Sequence, residues 1–139
     1  MAITFQSEGI DFPGIRKRDI KNWIKLVADG YGKKIGEVNY LFCTDEKILE
    51  VNNQYLSHDF YTDIITFDYS EGNKVSGDIF ISLETVGTNS QKYNTNFMEE
   101  LHRVIIHGIL HLCGIDDKSE VDSRKMREAE NRALEQTNI

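Results

Sequence analysis

Apolar positions recur along this chain with two periods, and the switches between them divide it into nine elements. Residues 2–8 (AITFQSE) alternate between apolar and polar, which predicts a first strand. Ile20, Trp23, Ile24, Val27, Ala28 and Tyr31 then follow the helical period, so residues 16–31 form an amphipathic helix, stopped by Gly30 and Gly32. A second strand is expected over 36–43 (GEVNYLFC). Thr44 or Asp45 can cap a helix running to about Leu56, with Ile48, Val51, Asn52 and Tyr55 on one face. Residues 62–69 (TDIITFDY) and 75–82 (VSGDIFIS) read as strands joined by a turn at 71–73, a hairpin. From residue 83 the pattern is helical. A helix over 83–93 precedes one from Phe97 to Cys113 that is apolar almost all round, capped by Asn96 with Glu99. Such a helix belongs in the centre of a core. Gly114 ends it, and Ser119 with Asp122 opens a charged helix to about Thr137. The order β-α-β-α-β-β-α-α-α predicts an α+β fold, one domain over residues 1–139 with helices packed on a mixed four-stranded sheet.

Composition changes this picture only at the margins. At 40% hydrophobic and 28% charged, the chain reads as a soluble globular domain. No apolar run reaches the roughly 18 residues a membrane span requires. The first twelve residues, MAITFQSEGIDF, lack the pattern of a signal peptide, so a cytoplasmic protein is expected, with Cys43 and Cys113 as free thiols. Net charge is −7, which argues against a large nucleic-acid surface. It is unevenly distributed, however: residues 16–34 carry +5 and the remainder −12. A local basic patch can steer a polyanion even on an acidic protein.

The segment 107–117, HGILHLCGIDD, carries the candidate chemistry. His107 and His111 are one helical turn apart, which puts both imidazoles on one face. Two imidazoles so placed form two corners of a tetrahedral metal site, and a bound cation explains their place in an apolar helix. Gly114 lets the chain leave the helix sharply, so that Asp117 can return as a third ligand, with Asp116 the neighbouring alternative. Three protein ligands leave a position for water, the mark of a catalytic zinc site. Cys113 points away from this face and reads as a core thiol. Position 108 is Gly, where the zinc metalloprotease motif places a general-base Glu beside the first His.

These residues resemble a known family. HGILHLCGIDD is similar to the H-G-x-L-H-L-x-G-x-D-H signature of the bacterial YbeY endoribonucleases, the rRNA maturation factors. Val51-Asn52-Asn53-Gln54-Tyr55 resembles the family's L-N-x-x-Y. Asp59 and Thr62-Asp63-Ile64-Ile65-Thr66-Phe67 resemble its D-x-P-T-D-V-L-S-F, and Gly77-Asp78-Ile79-Phe80-Ile81-Ser82 its G-D-I-x-I-S. The resemblance implies a zinc-dependent endoribonuclease acting on single-stranded RNA in 16S rRNA 3′-end maturation and ribosome quality control. Its partners would be the 16S precursor, the small ribosomal subunit and ribosome-associated proteins. The ligands carried over are His107, His111 and the residue at 117.

Two positions depart from the pattern. Asp117 stands where the family has a third His, which makes Mn2+ or Ni2+ more competitive with Zn2+. Leu56 stands where the family has an arginine; His58, two residues on, is the candidate substitute, and Asp59 joins it as a candidate catalytic residue. Asp63 and Asp78 are candidates to orient the metal-bound imidazoles from behind. His102, off the ligand face, is assigned no role. Two other readings compete: a small metallopeptidase-like hydrolase, against which Gly108 argues, and a non-catalytic ribosome-assembly factor with a structural metal.

Overall fold

Strand order departs from chain order. In the computed structural model, which describes residues 2–56, 62–116 and 118–137, the strands β1 (Ala2–Ser7), β2 (Lys34–Cys43), β3 (Ile64–Asp68) and β4 (Lys74–Ser82) form one sheet in the order β1-β2-β4-β3. β1 and β4 run parallel to β2, and β3 is the antiparallel hairpin partner of β4. The expected mixed α+β sheet is therefore present. Five α-helices accompany it among the described residues: α1 (Lys17–Gly30), α2 (Asp45–Val51), α3 (Leu83–Lys92), α4 (Phe97–Leu112) and α5 (Glu120–Glu135). None is long and apolar enough to cross a membrane.

The two sheet faces bury different things. Ile3, Phe5, Val38, Tyr40, Phe42, Val75, Ile79 and Ile81 point to one face and join the buried residues of α1, α3, α4 and α5 in the main core. α4 lies at its centre, with Leu101, Ile105, Ile106, Ile109 and Leu110 all fully buried. Tyr40 Oη donates to the Ile105 carbonyl at 2.8 Å, and Trp23 Nε1 to the Ala133 carbonyl at 2.8 Å, tying sheet and α1 to the two C-terminal helices. On the opposite face α2 covers one corner with Ile48 and Val51 against Cys43 and Ile65.

Three local features fix how α4 meets the sheet. A bulge in β2 lets four residues, Ile35 to Val38, lie opposite only three of β4, Val75 to Gly77, so Ile35 and Val38 both face the core. A Cβ on Gly36 would lie 2.3 Å from Ser76 Oγ, so a side chain there would displace the hydroxyl that accepts from the Glu37 amide. Gly77 admits Leu112 of α4, and Gly108 brings the helix backbone down onto Ile79 and Ile64.

The caps follow the sequence closely. Thr44, rather than Asp45, accepts the Lys47 amide; Asp45 instead accepts the Ser82 and Thr85 hydroxyls at the start of α3. Asn96 and Glu99 bond reciprocally at the start of α4, each contact 2.8 Å. The helix expected to reach Leu56 is α-helical only through Val51 and widens into a π turn over Asn52–Leu56, with Asn52 buried.

Candidate metal centre

α4 is not apolar all round. Glu100, Arg103, His107 and His111 fall three or four residues apart and form one polar stripe along an otherwise buried helix. The stripe ends where the helix does. The Ile115 amide donates to the Leu110 carbonyl at 3.1 Å and the Gly114 amide to that of His111 at 3.0 Å, with Gly114 at φ +100°. This pair of bonds is the Schellman motif, which turns the chain back on itself immediately after His111.

α5 supplies the rest of the centre. Glu130, whose side chain is only 8% exposed, sets Oε2 2.7 Å from His107 Nδ1. Its other oxygen, Oε1, accepts from Arg103 Nη1 at 2.8 Å, and Arg103 Nη2 donates to Asn131 Oδ1 at 2.8 Å. Burial pushes the Glu130 carboxyl up, but hydrogen bonds from His107 and Arg103 outweigh it and hold the group below the usual carboxylate range. Asp63 also lies within the electrostatic reach of His107. Burial is its dominant influence and raises it, against the pull of the His107 charge. Burial raises Glu100 in the same way, against Arg103. A cavity of about 280 Å3 opens at the N-terminal end of the stripe, lined by Glu100, His102, Arg103 and Arg127 among others.

Of the residues singled out from the sequence, the structure places His107 and His111 on one helix face, both partly exposed. Asp117, His58 and Asp59 lie outside the described residues. Among the described residues no three His, Cys, Asp or Glu side chains group closely enough to hold a metal. One expectation is corrected and one residue was missed. Asp78 does not stand behind the imidazoles: alternation along β4 puts it on the sheet face away from α4, where its Oδ1 accepts from Asn39 Nδ2 at 3.1 Å. The carboxylate that does stand behind His107 is Glu130, which sequence reasoning missed. Its signal was present: Met126, Ala129, Glu130 and Ala133 form the buried stripe of α5, and a glutamate on such a stripe requires partners.

The donor chemistry fits a metal, since an imidazole backed by a buried carboxylate is the arrangement that metal-bound histidines adopt. The family model described as Endoribonuclease YbeY matches residues 3–138. The chain belongs to this family. It is 66% identical over 134 residues to the endoribonuclease YbeY of Bacteroides fragilis, a match spanning 96% of each chain. The YbeY of Parabacteroides distasonis is 63% identical, over 96% of this chain and 94% of its own. Among solved structures, the solution structure of a Thermotoga maritima protein matches with a TM-score of 0.67 and 28% identity, over 96% of this chain and 87% of that one.

Within the YbeY family, the glycine of the H-G-x-x-H segment acquires a steric reason from the packing here. A Cβ at Gly108 would meet Ile79 Cδ1 at 2.9 Å and Ile64 Cδ1 at 3.3 Å. The position faces the sheet rather than the stripe, so a glutamate there would be driven into the core. The peptidase reading is not favoured.

Proposed function

We propose that this chain is a zinc-dependent endoribonuclease that cleaves single-stranded RNA, with His107, His111 and Asp117 holding one ion. The observation that carries the reading is the buried Glu130 carboxylate 2.7 Å from His107 Nδ1, on the helix face that also presents His111. Family membership supplies the reaction class, an endoribonuclease. When bound, the ion would supply a Lewis acid for a phosphoryl oxygen or lower the pKa of a bound water. Mn2+ and Ni2+ are the competing occupants, because the carboxylate of Asp117 is a harder ligand than imidazole. Arg127, in the neighbouring cavity, would hold a phosphate of the bound strand. His58 would take the phosphate-binding work of the arginine replaced by Leu56, with Asp59 beside it as a second catalytic candidate. The exposed cations of residues 16–34 would steer the RNA. The substrate we infer is the 3′ end of the 16S rRNA precursor on the small ribosomal subunit in the cytoplasm.

The test is cleavage of single-stranded and duplex RNA by the purified chain, with and without chelator, alongside elemental analysis. The expected result is one zinc per chain, cleavage of the single strand alone, and loss of cleavage on chelation or in His111→Ala. Products ending in a 2′,3′-cyclic phosphate would identify the RNA 2′-OH as nucleophile; a 3′-OH end paired with a 5′-phosphate would identify water. Undiminished cleavage by a folded, metal-free His111→Ala variant would overturn the reading. Cells depleted of the protein should accumulate 16S precursor with an unprocessed 3′ end.

A further inference from the structure

We propose that Glu130 is a positioning residue for the metal centre, holding His107 in the tautomer that carries its hydrogen on Nδ1 and its lone pair on Nε2. The proposal rests on the reading of His107 as a ligand and deepens it. The geometry is a chain of donors and acceptors that places a hydrogen on His107 Nδ1. Arg103 donates from both guanidinium nitrogens and accepts from neither. Its Nη1 lies 2.8 Å from Glu130 Oε1, and its Nη2 2.8 Å from Asn131 Oδ1. A permanent cation at that distance selects the ionised carboxylate. An ionised carboxylate only accepts, so the 2.7 Å contact between Glu130 Oε2 and His107 Nδ1 requires the hydrogen to be on Nδ1. In the neutral ring the lone pair is then on Nε2.

Burial fixes the pose. The Glu130 side chain is 8% exposed, with Arg103 and His107 at 22% and 21%. Met126, Ala129 and Ala133 pack α5 into the core around it. Glu130 therefore meets His107 from an element that is anchored independently of α4's C-terminal turn. The contact sets ring rotation as well as tautomer, the two properties a ligand must have before an ion arrives.

Glu130→Gln tests the idea with little change of shape. An amide has one acceptor oxygen where the carboxylate has two. Arg103 can only donate, so the oxygen turns to Arg103 and the amide NH2 faces His107 Nδ1. That arrangement favours the lone pair on Nδ1 and the hydrogen on Nε2, the wrong tautomer for binding through Nε2. The first measurement needs no variant: nitrogen-15 NMR of the metal-free wild-type chain, reporting which His107 nitrogen carries hydrogen. The expected result is Nδ1–H in wild type and Nε2–H in Glu130→Gln. The second is zinc affinity by chelator competition, expected to fall about 10- to 100-fold in the variant. A purely structural tie between α4 and α5 would alter stability but neither readout. An Nε2–H tautomer in wild type, or unchanged tautomer and zinc affinity in folded Glu130→Gln, would overturn the proposal. Failure of the wild-type chain to bind zinc despite the Nδ1–H tautomer would instead overturn the metal reading on which it rests.

Discussion

His102 shows what a buried titratable group does when one of its ring nitrogens finds no hydrogen-bond partner among the described residues. It is 5% exposed, its ring edge-on to Trp23, and among the described residues its Nε2 has no hydrogen-bond partner. Burial lowers its pKa from the ordinary 6.5. In the window below 6.5 the unfolded chain therefore binds a proton that the folded chain does not, and this group's contribution to stability falls as pH falls. His102→Phe keeps a ring against Trp23 and removes the proton uptake. The stability of the variant relative to wild type should therefore rise between about pH 7.5 and about pH 5.5, read by urea unfolding at each. A difference that stays constant with pH would show that His102 does not carry the effect. The neighbouring residues show how far the site was legible at this scale. His107 and His111 were evident from spacing alone, because a helical turn is a local rule. Glu130 was not, because its partner lies 23 residues away and only the α4–α5 packing brings them together. Asp78 misled because its strand was predicted correctly but not the face the residue takes.

At the scale of elements, two glycines measure how closely α4 is pressed to the sheet. A Cβ at Gly77 would lie 2.5 Å from the Phe67 carbonyl oxygen and 3.0 Å from Leu112 Cδ2; the first is strand backbone and cannot yield cheaply. At Gly108 the nearest atom, 2.9 Å away, is the end of the Ile79 side chain. Gly77→Ala should therefore destabilise by about 3 kcal/mol, the upper part of the overpacking range. Gly108→Ala should cost about 1 kcal/mol, since Ile79 can turn aside and alanine recovers helix propensity. Denaturant unfolding of the two variants checks the order, and a larger loss for Gly108→Ala would contradict it. Element type and position could be read from the sequence because periodicity and caps are local: Asn96, Ser119 and Gly114 each act where the pattern put them. The bulge at Gly36 and the placing of β4 between β2 and β3 could not be, because register is decided by strands that are distant in the chain.

The whole molecule poses an electrostatic problem, since a chain of net charge −7 is expected to hold a polyanion. Long-range attraction from the protein as a whole is therefore the wrong sign, and binding must come from local cations within about a Debye length of the strand, roughly 10 Å at 0.1 M salt. The +5 segment 16–34 meets that requirement, and along it Arg16, Lys17, Arg18, Lys25 and Lys34 are exposed. Arg16 lines a surface pocket with Gln136 and Thr137, and Thr137 also lines the cavity of Arg127 at the Glu100–Arg103 end of the polar stripe. If α1 carries the RNA, each phosphate contact contributes about 0.7 to the slope of log affinity against log salt for a single strand. Replacing exposed Arg18 and Lys25 with Gln should weaken RNA binding at low salt and flatten that slope by up to about 1.4, with zinc affinity unchanged. Fluorescence anisotropy with a labelled single-stranded RNA across a salt series reads both quantities. An unaltered slope would remove α1 from the RNA path and shift the burden of holding the substrate to a protein partner on the ribosome. The acidic remainder of the surface then becomes the complementary face for that basic partner.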